Sequence, residues 1–349
     1  TVIMRKPIGI GLADTHAHDN NLKLQVSIGK QAVELAKKLD VDKLFHLGDW
    51  VVERKAQSLG VLEHLEEMKG YVLANDLKLI GISGNHDKTN QESIFAYPNL
   101  YGGTGFDIVE DFHEEIISED LSVWFLPYFP EMGTYPAKVE EIKRLMDKDK
   151  RNILITHIGV NGGLAHESAT INKEVSAGLF EGFYSVQIGH YHNRSLVEHD
   201  GTAIIWYVGS THTANYGEDN EKGFTIFYDD GSVEFHNADF PKFETISVDV
   251  EEIDGKWLSE TKKYIKETGI NVRVIVTGDE SELKKIKKQK FSDIGVKKLK
   301  LNAESVAIRD EDDKVVFVSL DKKTVKKLYK KFSVNQELDP SLGLEYLDM

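Results

Sequence analysis

Residues 77–88 read LKLIGISGNHDK. The apolar run Leu77–Ile82 has the length and composition of a buried strand. It passes without a spacer into Ser83, Gly84, Asn85, His86 and Asp87. An amide, an imidazole and a carboxylate are costly in a core unless something satisfies them, so a strand ending on all three is delivering them to a site. The same pattern recurs along the chain. PIGIGLA leads to Asp14 and His16, KLFHLG to Asp49, NILIT to His157, and YSVQIG to His190 and His192.

Longer amphipathic stretches lie among these runs: SIGKQAVELAKKLD (27–40), SLGVLEHLEEMKGYVLAND (58–76) and KVEEIKRLMDKDK (138–150). Strands interleaved with helices predict an α/β fold built in layers. The carboxyl ends of strands in an α/β sheet share one edge, where ligands bind. Asp14, His16, Asp49, Asn85, His157, His190 and His192 are therefore expected to converge. A lone Asp-x-His also caps helices, and a lone Gly-Asp says little. Five such elements in order at five strand ends carry a metal reading. Mixed imidazole, carboxylate and amide donors suit Mn, Fe or Zn, and a shared Asp suits two ions about 3.5–4 Å apart.

Composition sets the frame. The chain has 349 residues, 40% hydrophobic and 29% charged, enough for a full core and more than one domain. It has no cysteine, which excludes disulfides and thiolate ligands and suits a reducing cytoplasm. The formal net charge of -15 argues against coating nucleic acid while leaving room for a local basic patch. No apolar run reaches membrane-spanning length and no signal-peptide pattern is present, so a cytoplasmic protein without a membrane is expected.

The ordered set Asp-x-His, Gly-Asp, Gly-Asn-His-Asp, His, Gly-His-x-His resembles the calcineurin-like metallophosphoesterases over about residues 8–240. That resemblance implies a layered α/β sandwich with two divalent ions, manganese first and magnesium second. Asp14, His16, Asp49 and His192 would hold one ion, and Asp49, Asn85, His157 and His190 the other, with Asp49 as the bridge. His86 would face the substrate phosphate and Asp87 would orient it from behind. The segment WYVGSTHTANYGEDNEKGFTIF, with Gly209-Ser210, Gly217-Glu218 and Lys222-Gly223-Phe224, resembles the SbcD and Mre-eleven nuclease family, including its phage-type members. GDWVVERKA, LPYFPEM and NVRVIVTG resemble segments of the same family. The implied activity is a DNA nuclease, exo- and endonucleolytic, in repair and recombination. Its implied partners are DNA, a Rad-fifty-like SMC-type ATPase of the SbcC kind, and a second copy of the chain. A small-molecule phosphatase or nucleotide phosphodiesterase on the same fold is the first rival, and a non-catalytic scaffold the second.

Other histidines fit simpler roles: His18 in a loop, His46 in or near the core, His212 in a loop a substrate would pass. Residues 1–242 are expected to form the nuclease domain. Residues 243–312 read β-α-β-α-β, a smaller capping domain. Lys284, Lys285, Lys287 and Lys288 crowd its second helix and suit either a solvated face or contact with DNA phosphates. Residues 313–349 are expected to hold a short strand, VVFVSL, and then a helical tail. Val325, Leu328, Tyr329 and Phe332 recur at helical spacing, and the stripe either folds back on its own domain or grips the ATPase. Leu342, Leu344 and Leu347 suggest a second short helix.

Overall fold

The apolar runs form Pro7–Leu12 (β1), Lys43–Leu47 (β2) and Lys78–Ile82 (β3). They are parallel neighbours, with Ile10 opposite Leu44 and Phe45 opposite Ile80. Parallel strands need crossovers, and Leu22–Lys38 (α1) and Leu59–Ala74 (α2) supply them. α1 begins earlier than the sequence pattern predicts, because Leu22 and Leu24 pack against the core beneath the helix. Ser58 starts α2 by accepting a hydrogen bond from the Val61 amide at 3.2 Å. The computed structural model describes residues 5–161, 174–303, 305–309, 315–319 and 322–335.

The chain divides into two compact units, Thr1–Phe240 and Pro241–Met349. In the first, Phe106–Val109 (β4) extends the sheet beyond β3. A second sheet contains His113–Ser118 (β5), Leu121–Leu126 (β6), Arg151–His157 (β7), Ser185–Gly189 (β8), Ser195–Leu196 (β9) and Ile204–Tyr207 (β10). Gly223–Tyr228 (β11) and Val233–Asn237 (β12) close the other side of the first sheet. The strand orders are β12-β11-β1-β2-β3-β4 and β5-β6-β7-β8-β10-β9. The strands bearing the polar residues therefore belong to two sheets and not to one open sheet.

Phe45, Leu47, Ile80 and Ile82 of the first sheet share one core with Val123, Phe125, Ile153 and Ile155 of the second. The helices α1 and α2 bury the first sheet's other face. Tyr135–Leu145 (α3) packs in a separate core with residues of β6, β7 and β8. The result is a four-layer sandwich. Among the described residues, no helix is long and apolar enough to cross a membrane.

The second unit holds Phe243–Asp249 (β13), Gly255–Thr268 (α4), Asn271–Gly278 (β14), Glu280–Leu283 (α5), Lys288–Asp293 (α6) and Lys298–Ala303 (β15). β14 lies between β13 and β15, parallel to both. Its alternate residues Val272, Val274 and Val276 are fully buried in that unit's core. The single helix expected over 279–291 is two short ones, broken where Lys287 leaves helical geometry (φ -90°, ψ 102°). Like charges three and four residues apart in the lysine run disfavour one continuous helix. The strand expected over residues 297–308 is likewise two, β15 and Ser305–Arg309 (β16), and β16 pairs antiparallel with Val315–Ser319 (β17). Lys322–Asn335 (α7) follows. The expected helix at Leu342, Leu344 and Leu347 lies outside the described residues.

Phe45 is the test of the shared core: it is fully buried, with its ring 5.3 Å from those of both Phe125 and Phe227. Phe45→Ala is expected to destabilise the first unit by about 3–5 kcal/mol, read from the midpoint of denaturant unfolding.

Candidate metal centre

The loops after β1, β2, β3 and β8, and the end of β7, bring Asp14, His16, Asp49, Asn85, His157, His190 and His192 together. Asp14, His16 and His192 offer ligand atoms that lie within 4.8 Å of one another, and so do Asp49, His157 and His190. Asp49 Oδ2 lies 3.6 Å from His16 Nε2 and 3.3 Å from His157 Nε2, so one oxygen faces both groups. Asn85 Oδ1 stands 3.2 Å from His157 Nε2 and 3.1 Å from His190 Nδ1. His16 and His192 face each other through Nε2 atoms 3.0 Å apart.

Local backbone geometry makes the convergence possible. Asp14, His16, Asp49 and His190 all have positive φ, at 49°, 47°, 55° and 98°. Non-glycine residues rarely adopt that region. The conformation is held by main-chain bonds from Asp14 N to Gly48 O (3.0 Å) and from His16 N to Asp49 O (3.0 Å). The His190 amide in turn donates to the Asp14 carboxylate at 3.0 and 3.1 Å.

The donor set fits divalent cations on a direct structural ground. His157 Nδ1 donates to Leu47 O at 2.9 Å, which leaves a lone pair on Nε2 facing Asp49 Oδ2 and Asn85 Oδ1. His192 Nδ1 donates to Glu218 Oε1 at 2.9 Å, which leaves its Nε2 lone pair facing His16. Acceptors aimed at acceptors need a proton or a cation between them. The electrostatics agree. Burial, only partly opposed by Asp49, depresses His16 to about 3, and burial with His157 beside it takes His190 to about 3, so both rings stay neutral. Burial opposes protonation of His157, but the adjoining Asp49 carboxylate outweighs it and raises His157 to about 9. Burial also pushes Asp14 up to about 6.

Around these donors stand residues with other tasks. The His86 amide donates to Asp49 Oδ1 at 2.8 Å, and its ring Nδ1 donates to Val52 O at 2.7 Å. Val52, and not Asp87, thus orients the His86 ring. Asp87 accepts from the amides of Trp50 (2.9 Å), Val51 (3.2 Å) and Gly84 (2.7 Å) and braces the loops after β2 and β3 against each other. Lys88, fully buried, reaches Tyr128 O at 2.5 Å and lies over the Phe129 ring.

Two functional neighbours went unassigned in the sequence reading. The Glu218 side chain is 2% exposed and orients His192. Lys222 is fully buried, with Nζ 3.8 Å from Glu218 and donating to His192 O at 2.5 Å. The only sequence signal was an acid and a base four residues apart in the Gly217–Phe224 segment. His46 sits in the core, stacked on Trp50 and 3.1 Å from Thr15 Oγ1. His18 stabilises its own turn by accepting from the Asn20 amide, and His212 is buried beside Thr211.

The remaining expected site residues lie in the second unit. Lys284 and Lys285 are exposed and pair with Glu280 (2.6 Å) and Glu282 (2.5 Å). Lys287 precedes α6 and Lys288 opens it. On α7, Val325, Leu328 and Tyr329 are half-buried while Phe332 is 58% exposed.

A two-sheet sandwich with a paired histidine and carboxylate site at its strand ends defines a class of metal-dependent phosphoesterases. The calcineurin-like phosphoesterase superfamily domain matches residues 8–228, and the chain belongs to that superfamily. Its ester-hydrolysing chemistry depends on divalent metal ions. Over 223 residues the chain is 23% identical to the DNA double-strand break repair protein Mre11 of Sulfurisphaera tokodaii, covering 63% of this chain and 56% of that protein. The chain thus spans about half the length of that relative. A dimetal phosphatase from Danio rerio is similar at 12% identity and a TM-score of 0.46, over 64% of this chain and 93% of the other. The Pseudomonas putida nuclease MPE is similar at 14% identity and a TM-score of 0.30, over 63% and 84%.

Glu218→Gln keeps the side chain's shape and removes its charge, so one of the two metal positions is expected to weaken about tenfold or more, measured by competition with a chelating dye. The pH dependence of the metal-free protein follows from its histidines. Burial also lowers His212 to about 4, so the unfolded chain takes protons near pH 6.5 that folded His16, His190 and His212 refuse. Asp14, raised to about 6, and Asp87, also raised by burial, return at most two protons in that range, while His46 and His64, lowered by burial, add to the deficit. Stability of the chelated protein is therefore expected to fall from pH 6.5 towards pH 4, by about 1.4 kcal/mol per pH unit for each uncompensated proton, as followed by thermal melts.

Proposed function

We propose that the chain is a two-metal DNA nuclease of the SbcD type, cleaving phosphodiester bonds at DNA ends. The observation that carries this reading is Asp49 Oδ2, which faces the imidazoles of both donor groups at 3.3 and 3.6 Å. In it, Asp14, His16, Asp49 and His192 hold one ion and Asp49, Asn85, His157 and His190 hold the other, with manganese preferred and magnesium the alternative. Such a pair supplies an activated water and neutralises charge on the phosphodiester. The chain's own residues do the rest. His86, held through Nδ1 by Val52 O, would in its imidazolium form present an Nε2–H to stabilise or protonate the departing oxygen. Glu218 keeps His192 in the tautomer whose Nε2 carries the lone pair.

DNA is favoured over a small phosphoester by the repair protein's name and by the resemblance of the Gly209–Phe224 segment, which here houses Glu218 and Lys222. In this reading Lys284, Lys285, Lys287 and Lys288 contact backbone phosphates. Their exposed ion pairs are worth little and exchange readily for a phosphate. Val325, Leu328, Tyr329 and Phe332 bind the coiled coil of an SMC-type ATPase, and the nuclease works as a homodimer.

The test compares manganese-dependent cleavage of linear double-stranded DNA, bis-p-nitrophenyl phosphate and p-nitrophenyl phosphate. DNA and the diester are expected to be cleaved and the monoester spared. Asp49→Ala is expected to empty both positions and lose activity. His86→Ala is expected to keep two ions by elemental analysis while turnover drops about 10²–10⁴-fold. Preferred hydrolysis of the monoester would make the protein a phosphatase, and loss of metal from His86→Ala would make His86 a ligand.

A further inference from the structure

His190 is held differently from His157 and His192. A ligating histidine is ordinarily oriented by a hydrogen bond on its second ring nitrogen. His157 has Leu47 O for this, and His192 has Glu218. His190 turns Nδ1 towards Asn85 Oδ1 at 3.1 Å, and among the described residues its Nε2 makes no hydrogen bond. Its amide is tied to the Asp14 carboxylate, which fixes the main chain and leaves the ring. Something else must hold that ring.

The structure offers a closed path of contacts. The Tyr191 ring lies 4.9 Å from the His190 ring, tilted by 44°. Its other ring neighbour is Tyr207, 4.7 Å away at 51°. Tyr207 is fully buried, and its hydroxyl donates to Ile158 O at 3.2 Å and accepts from the Val160 amide at 2.7 Å. Those residues continue directly from His157, whose ring meets that of His190 edge-on at 5.2 Å. The two histidines of one donor group are thus joined through Tyr191 and Tyr207 as well as through Asn85.

We infer that Tyr191 is a positioning residue for the metal position formed by Asp49, Asn85, His157 and His190, and that it acts through its ring and not its hydroxyl. Aromatic rings in tilted contact favour particular relative geometries, and here the contact replaces the hydrogen bond that His190 lacks. Tyr207 backs the Tyr191 ring from the other side. The Tyr191 hydroxyl donates to Glu174, which belongs to neither donor group. His192, the other sequence neighbour, is oriented by Glu218 instead, so loss of the Tyr191 ring acts on one position of the two. The inference rests on the two-metal reading, since a position that binds no ion has no affinity to set.

The test is manganese binding by the full chain, read by competition with a chelating dye and by electron paramagnetic resonance, which separates a coupled ion pair from a lone ion. Tyr191→Leu, or Tyr191→Met should the leucine variant not fold, removes the ring and keeps apolar volume. It is expected to weaken one ion about tenfold or more, to leave the other unchanged, and to show a lone-ion signal where the native chain shows a coupled pair. Tyr191→Phe is expected to retain both affinities and the coupled signal. Weakening by Tyr191→Phe as large as that by Tyr191→Leu would move the role to the hydroxyl and overturn the inference. Equal weakening of both ions in the ring-less variants, or native binding of both, would overturn it too. A native chain that binds fewer than two ions would overturn the two-metal reading and this inference with it.

Discussion

The site hangs from a carboxylate that does not itself enter it. Asp87 is fully buried, and its two oxygens accept from the main-chain amides of Trp50, Val51 and Gly84. Those amides belong to the loops that follow β2 and β3, so one side chain fixes the spacing between the segment carrying Asp49 and the segment carrying Asn85 and His86. Left-handed backbone at four of the converging residues costs on the order of 1–3 kcal/mol each. Such strain persists only where the surroundings over-determine it. Asp87 does so from one side, and the Asp14 carboxylate bound to the His190 amide does so from the other. The donors are thus in place before any ligand arrives, which is what a site acting on a charged ester requires.

Preorganisation has an electrostatic consequence. The site collects lone pairs in a dry volume, and burial keeps His16 and His190 neutral. Neutral imidazoles bind a cation without first losing protons, whereas the proton drawn to His157 by Asp49 must leave. In the free protein a proton on His157 takes the place between the imidazole and Asp49 that a cation would fill, and a bound cation displaces it. Metal affinity and folding stability are therefore linked in this unit.

The sequence carried the site better than the scaffold. Seven donors and their convergence were legible because each follows an apolar run directly, a pattern with few rival explanations once repeated. The sheet arrangement was less legible. The order of strands along the chain does not reveal that β1–β3 and β7–β8 lie in different sheets, since partners in a sandwich are set by long-range packing. Leu121–Leu126 passed unremarked although every residue in it is buried. It is an apolar run broken only by Ser122, without regular alternation, and it bears no polar motif at its end. The roles of Asp87 and Glu218 were not legible at all. Asp87 follows His86 in sequence, which suggests a partner for that ring, yet its bonds go to three amides, two of them more than 30 residues away. Glu218 lies 26 positions from the His192 it orients. A side chain supporting a ligand needs only a short bond in space and imposes no spacing in sequence.

The glycines of the motifs show how sheet packing writes itself into sequence. A Cβ at Gly48 would lie 2.6 Å from His157 Nδ1 and 2.8 Å from the Gly84 amide. One at Gly189 would lie 2.5 Å from Leu47 O and 2.7 Å from His157 Nδ1. Both approaches are closer than any real side chain tolerates. Leu47, Gly48 and Gly84 come from the first sheet's strand ends, while His157 and Gly189 come from the second's. The glycine before Asp49 and the glycine before His190 are therefore two sides of one contact, where the sheets meet tightly enough for His157 to reach Asp49. A residue with any side chain at either place would push the sheets apart and separate the two donor groups. The Gly-Asp and Gly-His pairs far apart in the chain thus record a single distance, the one at which a carboxylate from one sheet faces imidazoles from both.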